Sequence, residues 1–304
     1  MLAATLAACS SSSSSSSTTA TTSAPATTST TSALGVSTQY YVSLGDSYAA
    51  GYQPTSATAG HTTTNGYAYQ LPPLLVPKGY NLELKNFGCA GATTKSIIAT
   101  VGCKAANLGP GATPYPTQTQ AAAAEKFITD HPGQIGLITV SISGNDVTAC
   151  AQAANPISCV GAAVTTIQTN LGVLLTGLRS AAGPSVPIVG LTYPDVLLGA
   201  YVNPGTASSK AIASESVTAF QLLINPALKK QYTAVGATFV DVTQATGAYL
   251  PFSQTTTLVP YGTIPQSVAN VCQLTFYCQW QNIHPRTSGY TAIANQIAAS
   301  LPQK

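Results

Sequence analysis

The sequence predicts an α/β domain of three layers, with helices on both faces of a five-stranded parallel sheet. Three observations carry this reading. Short β-prone apolar runs alternate with longer segments whose apolar residues recur at helical spacing, the pattern of successive βαβ units. Hydrophobic residues make up 45% of the 304, enough for one sizeable core. The polar triplet Gly45-Asp46-Ser47 directly follows the apolar run Tyr40–Leu44. That puts a serine hydroxyl at the carboxyl end of a strand, where open α/β sheets bind their ligands.

The elements follow in order. Gln39 to Leu44 reads as a buried strand, and Gly66 to Leu75 as a short helix interrupted by Pro72-Pro73. Asn81 to Asn86 alternates as a strand does. Gln120 to Thr129 reads as a helix stopped by His131-Pro132-Gly133. Ile135 to Ile142 is a strand leading into Ser143-Gly144-Asn145-Asp146, and Val160 to Arg179 is a helix. Val186 to Thr192 and Thr238 to Val242 are the last two strands, separated by a helix over Ser214 to Val235 that contains Pro226. Thr287 to Leu301 closes the chain as an amphipathic helix. The stretch Ala248 to Gln279 shows no periodicity and reads as a long connection, the kind that often carries function.

Composition narrows the function classes. Charged residues are only 6% of the chain and the net charge is +3, so no basic stripe marks a nucleic-acid binder. No uninterrupted apolar run approaches the length of a membrane span. Six of the seven cysteines fall in close pairs, Cys89 with Cys103, Cys150 with Cys159, and Cys272 with Cys278. None has zinc-site spacing, so three local disulfides and an oxidising compartment are expected. No clustered His or acidic spacing suggests a metal, and no cofactor is implied.

The seventh cysteine stands apart. Leu6-Ala7-Ala8-Cys9 resembles a bacterial lipobox, and Ser10 to Ala33 is nearly all Ser, Thr and Ala. Such a segment has too little apolar surface to fold. The expected organisation is an incomplete lipoprotein signal over 1–9, a disordered tether over 10–37 and one folded domain over 38–304. Only eight residues precede Cys9, fewer than a secretory signal needs. The expected location is secreted or cell-surface, with Cys9 lipidated and the protein monomeric.

Three further blocks share the setting of Ser47, each at a predicted strand end or helix start. They are Asn86-Phe87-Gly88-Cys89-Ala90-Gly91-Ala92, Gly144-Asn145-Asp146 and His284-Pro285. Serine, glycine, asparagine and histidine in this order resemble the SGNH, or GDSL, hydrolase family, over about residues 38–302. Gly-Asp-Ser-Tyr-Ala-Ala-Gly and the paired cysteines look like its secreted actinobacterial esterases and lipases. The resemblance implies a flavodoxin-like sheet and carboxylic ester hydrolysis through an acyl-enzyme on Ser47.

The resemblance also implies the roles. Ser47 is the nucleophile and needs a base to take its proton. His284 is the candidate base, because imidazole titrates near working pH; the other two histidines, His61 and His131, lie in a Thr-rich loop and at a helix stop. The backbone N–H groups of Ser47 and Gly91 and the Asn145 amide form the oxyanion hole. Asp46 and Asp146 hold loops by accepting from nearby backbone N–H groups.

One position departs from the family. Many relatives carry Asp three residues before the histidine, where this chain has Gln281. Either a carbonyl near Gln281, or its amide oxygen, orients His284 in a Ser–His dyad, or an acid arrives from elsewhere, Asp195 and Asp241 being the candidates. Tyr48, Tyr52, Tyr67 and Tyr69 either line an acyl pocket or pack. Two other functions remain open: a non-catalytic lipid- or polysaccharide-binding lipoprotein, and a glycan O-acetylesterase.

Overall fold

Strand β1, Gln39–Gly45, is apolar on both sides and ends buried, as a central strand of a parallel sheet must be. In the computed structural model, which describes residues 37–304, it pairs in parallel with β2, Leu82–Asn86, on one side and β3, Ile135–Ser141, on the other. Two further parallel strands, β4 (Ile188–Leu191) and β5 (Thr238–Val240), complete the order β2-β1-β3-β4-β5. The expected lipobox at Cys9 and the tether up to residue 36 lie outside the described residues.

Alternation along the strands builds two cores. Val42, Leu44, Ile138 and Val140 face one layer, made by helices α2 (Gln120–Asp130), α3 (Pro156–Ala182) and α4 (Asn225–Ala234). Tyr41, Leu137, Val189 and Leu191 face the other, made by α1 (Tyr67–Leu75) and the closing helix Thr287–Ser300, whose Tyr290, Ile293 and Ile297 are fully buried. Each such side chain contributes about 1.5–3 kcal/mol on leaving water.

Helix α3 has a mean hydropathy of 1.4 over its most apolar window and is long enough to cross a membrane. It is not an uninterrupted apolar run, since Thr165, Thr166, Gln168, Thr169 and Asn170 break it. Its threonines Thr165, Thr166, Thr169 and Thr176 are exposed, while Ile167, Leu171, Leu174 and Leu178 recur at helical spacing and are buried in the core.

Two segments differ from the sequence reading. The helix expected over Ser214 to Val235 begins earlier, as Ala207–Ala219, and reaches α4 through a π turn, Phe220–Ile224. A wider turn of this kind absorbs the missing N–H and ring of Pro226 without ending the helix. The expected connection Ala248 to Gln279 holds a hairpin, Thr255–Leu258 with Gly262–Pro265, and a helix, Gln266–Leu274. That helix buries Val268, Val271 and Cys272, a three-residue stripe too short to stand out as a period.

The order of the strands places a switch point between β1 and β3, whose connections leave in opposite directions. Ser47 follows β1 and Asn145 follows β3, so both project from that switch point. Gly45 and Ser141 are partners across it. Gly45 has φ +141°, and a Cβ there would stand 2.0 Å from the Ser141 carbonyl oxygen. Gly45→Ala is therefore expected to lower unfolding stability by about 3 kcal/mol or more, read by urea denaturation. A change within 0.5 kcal/mol would show that the strand end gives way without strain.

Candidate active site

Ser47 is the first residue of the short helical turn Ser47–Ala50, capped by Asp46, and only 5% of its surface is exposed. The first N–H groups of a helix have no acceptor within it, so the Ser47 N–H is left without an acceptor inside the turn. Asp46 is fully buried; its Oδ1 accepts from the Tyr48 N–H at 2.9 Å and its Oδ2 from the Tyr193 hydroxyl at 2.6 Å. Burial pushes the Asp46 carboxyl up to about 7. Gln120, from α2, closes an amide fork on Gly45: its Oε1 accepts from the Gly45 N–H at 2.7 Å and its Nε2 donates to the Gly45 carbonyl at 3.0 Å. The strand-to-helix bend that presents Ser47 is thus fixed from both sides.

His284 Nε2 lies 2.9 Å from Ser47 Oγ. The histidine loop is anchored at three points. The Tyr48 hydroxyl donates to the Ile283 carbonyl at 2.7 Å, the Phe276 N–H donates to the His284 carbonyl at 3.0 Å, and Thr275 bridges Pro285. The Tyr52 ring covers the imidazole at a centroid distance of 4.5 Å. Burial drives the His284 pKa down to about 4, so the ring is neutral through the neutral range.

Asn282 Oδ1 lies 2.7 Å from His284 Nδ1 and also accepts from the His284 backbone N–H at 3.1 Å. Gln281 is not the partner of the ring. It sits in the left-handed region, φ +53°, with its side chain exposed and donating to Asn203 Oδ1 at 3.0 Å. The left-handed turn swings Gln281 outward and brings Asn282 to the ring, so the Gln281 amide drops out as the orienting group. The two candidate acids are also engaged elsewhere. Asp195 accepts from Ser216 at 2.8 Å and is pushed up to about 7 by burial; Asp241 accepts from the Gln244 N–H and from Asn225.

The loops meant to hold the oxyanion are laced together. Asn145 Nδ2 donates to the Ala92 carbonyl at 2.8 Å, and the Asp146 carboxylate accepts from both the N–H and the hydroxyl of Thr94. Gly91 has φ +88° with open space where a Cβ would stand. Ser47 and Asn145 line one cleft, whereas Gly91 lines a separate depression. The three expected disulfides are present and bracket these parts: Cys89–Cys103, Cys150–Cys159 and Cys272–Cys278.

From Ser47 the cleft runs between the start of α3 and the Ala207–Ile224 helix. Val147, Ile157, Val160, Ile212, Ala219 and Phe220 line it; the charged groups on its lining are Asp46, buried, and Glu215, exposed. Of the four tyrosines, Tyr48 alone lines this cleft. Tyr52 covers His284, Tyr67 packs in the core and Tyr69 donates to the Pro110 carbonyl. No cluster of three or more metal-binding side chains occurs among the described residues.

Sequence reasoning missed Asn282, Gln120 and Tyr193. Only Asn282 carried a signal, a short amide two residues before the histidine; the other two act from 75 and 147 residues away.

The chain resembles several solved structures. The extracellular lipase of Streptomyces rimosus matches at 18% identity with a TM-score of 0.51, over 86% of this chain and 100% of that one. Phospholipase A1 of Streptomyces albidoflavus matches at 17% identity and 0.50, over 86% and 99%. Likeness at this identity is a likeness of fold. No curated protein sequence matches the chain. Residues 43–292 match the profile of the GDSL-like lipase/acylhydrolase family, a span that takes in every group described above, and the chain belongs to that family.

Proposed function

We propose that this protein is a serine esterase that hydrolyses carboxylic esters with apolar acyl chains, outside the cytoplasm. The contact that carries the reading is Ser47 Oγ to His284 Nε2, 2.9 Å. In the first half-reaction Ser47 Oγ attacks the ester carbonyl as its proton passes to Nε2. The tetrahedral oxyanion collapses, the C–O bond to the alcohol breaks, and His284 returns the proton to the leaving oxygen. Water, deprotonated by the same nitrogen, then attacks the acyl carbonyl; the C–O bond to Ser47 breaks, Nε2 returns the proton to Oγ, and the acid leaves. The Ser47 N–H, the Gly91 N–H and the Asn145 amide are assigned to the oxyanion.

The acyl side is read from the cleft. Its apolar lining continues well beyond Ser47, more than an acetyl group would fill, which favours fatty acyl esters over acetylated glycans. Each buried methylene is worth about 0.8 kcal/mol, so kcat/KM should rise roughly fourfold per methylene from p-nitrophenyl acetate to octanoate. A flat series would reject the acyl assignment. Labelling of Ser47 by an organophosphonate tests the nucleophile separately, and a non-catalytic binder would take no label.

Three disulfides support an oxidising location. A surface anchor through Cys9 is proposed from the lipobox resemblance alone. Mass spectrometry of membrane-extracted protein tests it, and an unmodified Cys9 in the mature protein would reject it.

A further inference from the structure

We propose that Asn282 is the positioning residue of His284, a third member without charge, and that the esterase in consequence keeps its base free to act in acid. The proposal rests on the serine-esterase reading above.

The argument begins with which atom faces the ring. The His284 backbone N–H can only donate, and the Asn282 atom 3.1 Å from it is therefore the amide oxygen. The same oxygen lies 2.7 Å from Nδ1. An amide oxygen only accepts, so Nδ1 carries the hydrogen. In a neutral imidazole that leaves Nε2 with its lone pair, aimed at Ser47 Oγ. One backbone amide thus fixes the Asn282 side chain, which fixes the tautomer, which fixes the base.

A carboxylate in this position would do the same and also attract the imidazolium, raising the ring's affinity for protons by about 1–3 pH units. Asn282 supplies the orientation without that attraction. Among the described residues around the ring, no other charge replaces it. Asp46 is turned to the Tyr48 N–H and the Tyr193 hydroxyl. The Arg286 guanidinium is stacked on Phe276 at 4.5 Å. The rings of Tyr52 and Tyr48 stand 4.5 and 6.2 Å from the imidazole, and Tyr290 is held on the Tyr52 carbonyl. Glu215, also on the cleft lining, is exposed to solvent. Burial disfavours the protonated ring. The same lack of charge leaves the imidazolium of the transition state less stabilised, so acid tolerance comes with a slower chemical step.

The test is a pH profile of kcat/KM for wild type, Asn282→Ala and Asn282→Asp, with Gln281→Ala as a control. Wild type should retain activity to about pH 4–5. Asn282→Asp should shift the acid limb upward by one unit or more, and Asn282→Ala should lower kcat by on the order of 10–100-fold, the usual cost of freeing an oriented histidine. Gln281→Ala should behave as wild type. The ring-nitrogen NMR shifts of His284 should report the Nδ1–H tautomer. The proposal is overturned by an unchanged kcat and profile in Asn282→Ala, by a wild-type acid limb near the ordinary histidine value, or by an Nε2–H tautomer. Because Asn282→Ala and the NMR signal carry the decision, a misfolded Asn282→Asp would not spare it. Failure of the esterase reading looks different: no wild-type turnover at any pH and no phosphonate label on Ser47.

Discussion

Ser47→Ala and His284→Ala should each reduce ester turnover by on the order of 10⁶-fold, and the double variant should be no worse than either. The equality follows from the geometry. With Nε2 2.9 Å from Oγ, the base serves one hydroxyl, and removing either group empties the same proton transfer. Residual turnover of about 10³–10⁴ over water would come from the oxyanion donors and binding alone. Steady-state assays on p-nitrophenyl butyrate measure this, with circular dichroism to confirm folding. Full turnover in Ser47→Ala would move the nucleophile elsewhere; strictly additive losses would mean that serine and histidine act in separate steps.

The second large effect is expected at the oxyanion site. Asn145→Ala should lower kcat by about 10²–10³-fold, or 2.7–4 kcal/mol of barrier, with KM little changed, because an oxyanion donor acts when charge has developed. In the resting protein its amide donates to the Ala92 carbonyl, so the substrate oxygen competes for, or shares, that donor. Asp146→Ala offers the comparison. It releases Thr94 and with it the loop that carries Gly91, so both kcat and thermal stability should fall. A loss in Asn145→Ala confined to KM would assign the amide to binding rather than to the transition state.

The parts of this design that sequence makes legible are those written in local pattern. The five strands stand where apolar runs meet turn residues, and Gly45-Asp46-Ser47 ends one of them. Asp46 and Asp146 each accept from a backbone N–H, the loop-holding work expected of them. The less legible parts depend on distance or on one dihedral angle. Gln120 grips Gly45 from 75 residues away, and no local propensity announces that contact. Between Gln281 and Asn282 the choice turns on a single left-handed residue, and the family's spacing drew attention to the wrong one of two adjacent amides. The helix across Phe220–Ile224 began early and passed Pro226 because tertiary packing overrode a local breaker.

The disulfides divide labour in a way that bears on where the protein can work. Cys89–Cys103 closes over the Gly91 loop, Cys150–Cys159 over one wall of the cleft and Cys272–Cys278 over the segment that anchors His284. None of them joins two strands of the sheet. The sheet and its two apolar layers therefore supply cohesion, while sulfur chemistry holds the reacting groups in register. Losing the bridges should cost function before it costs the fold, the loops being the first regions to open. Reduction of the three bridges should therefore lower ester turnover before the fold is lost, which activity and circular dichroism in the presence of dithiothreitol would read.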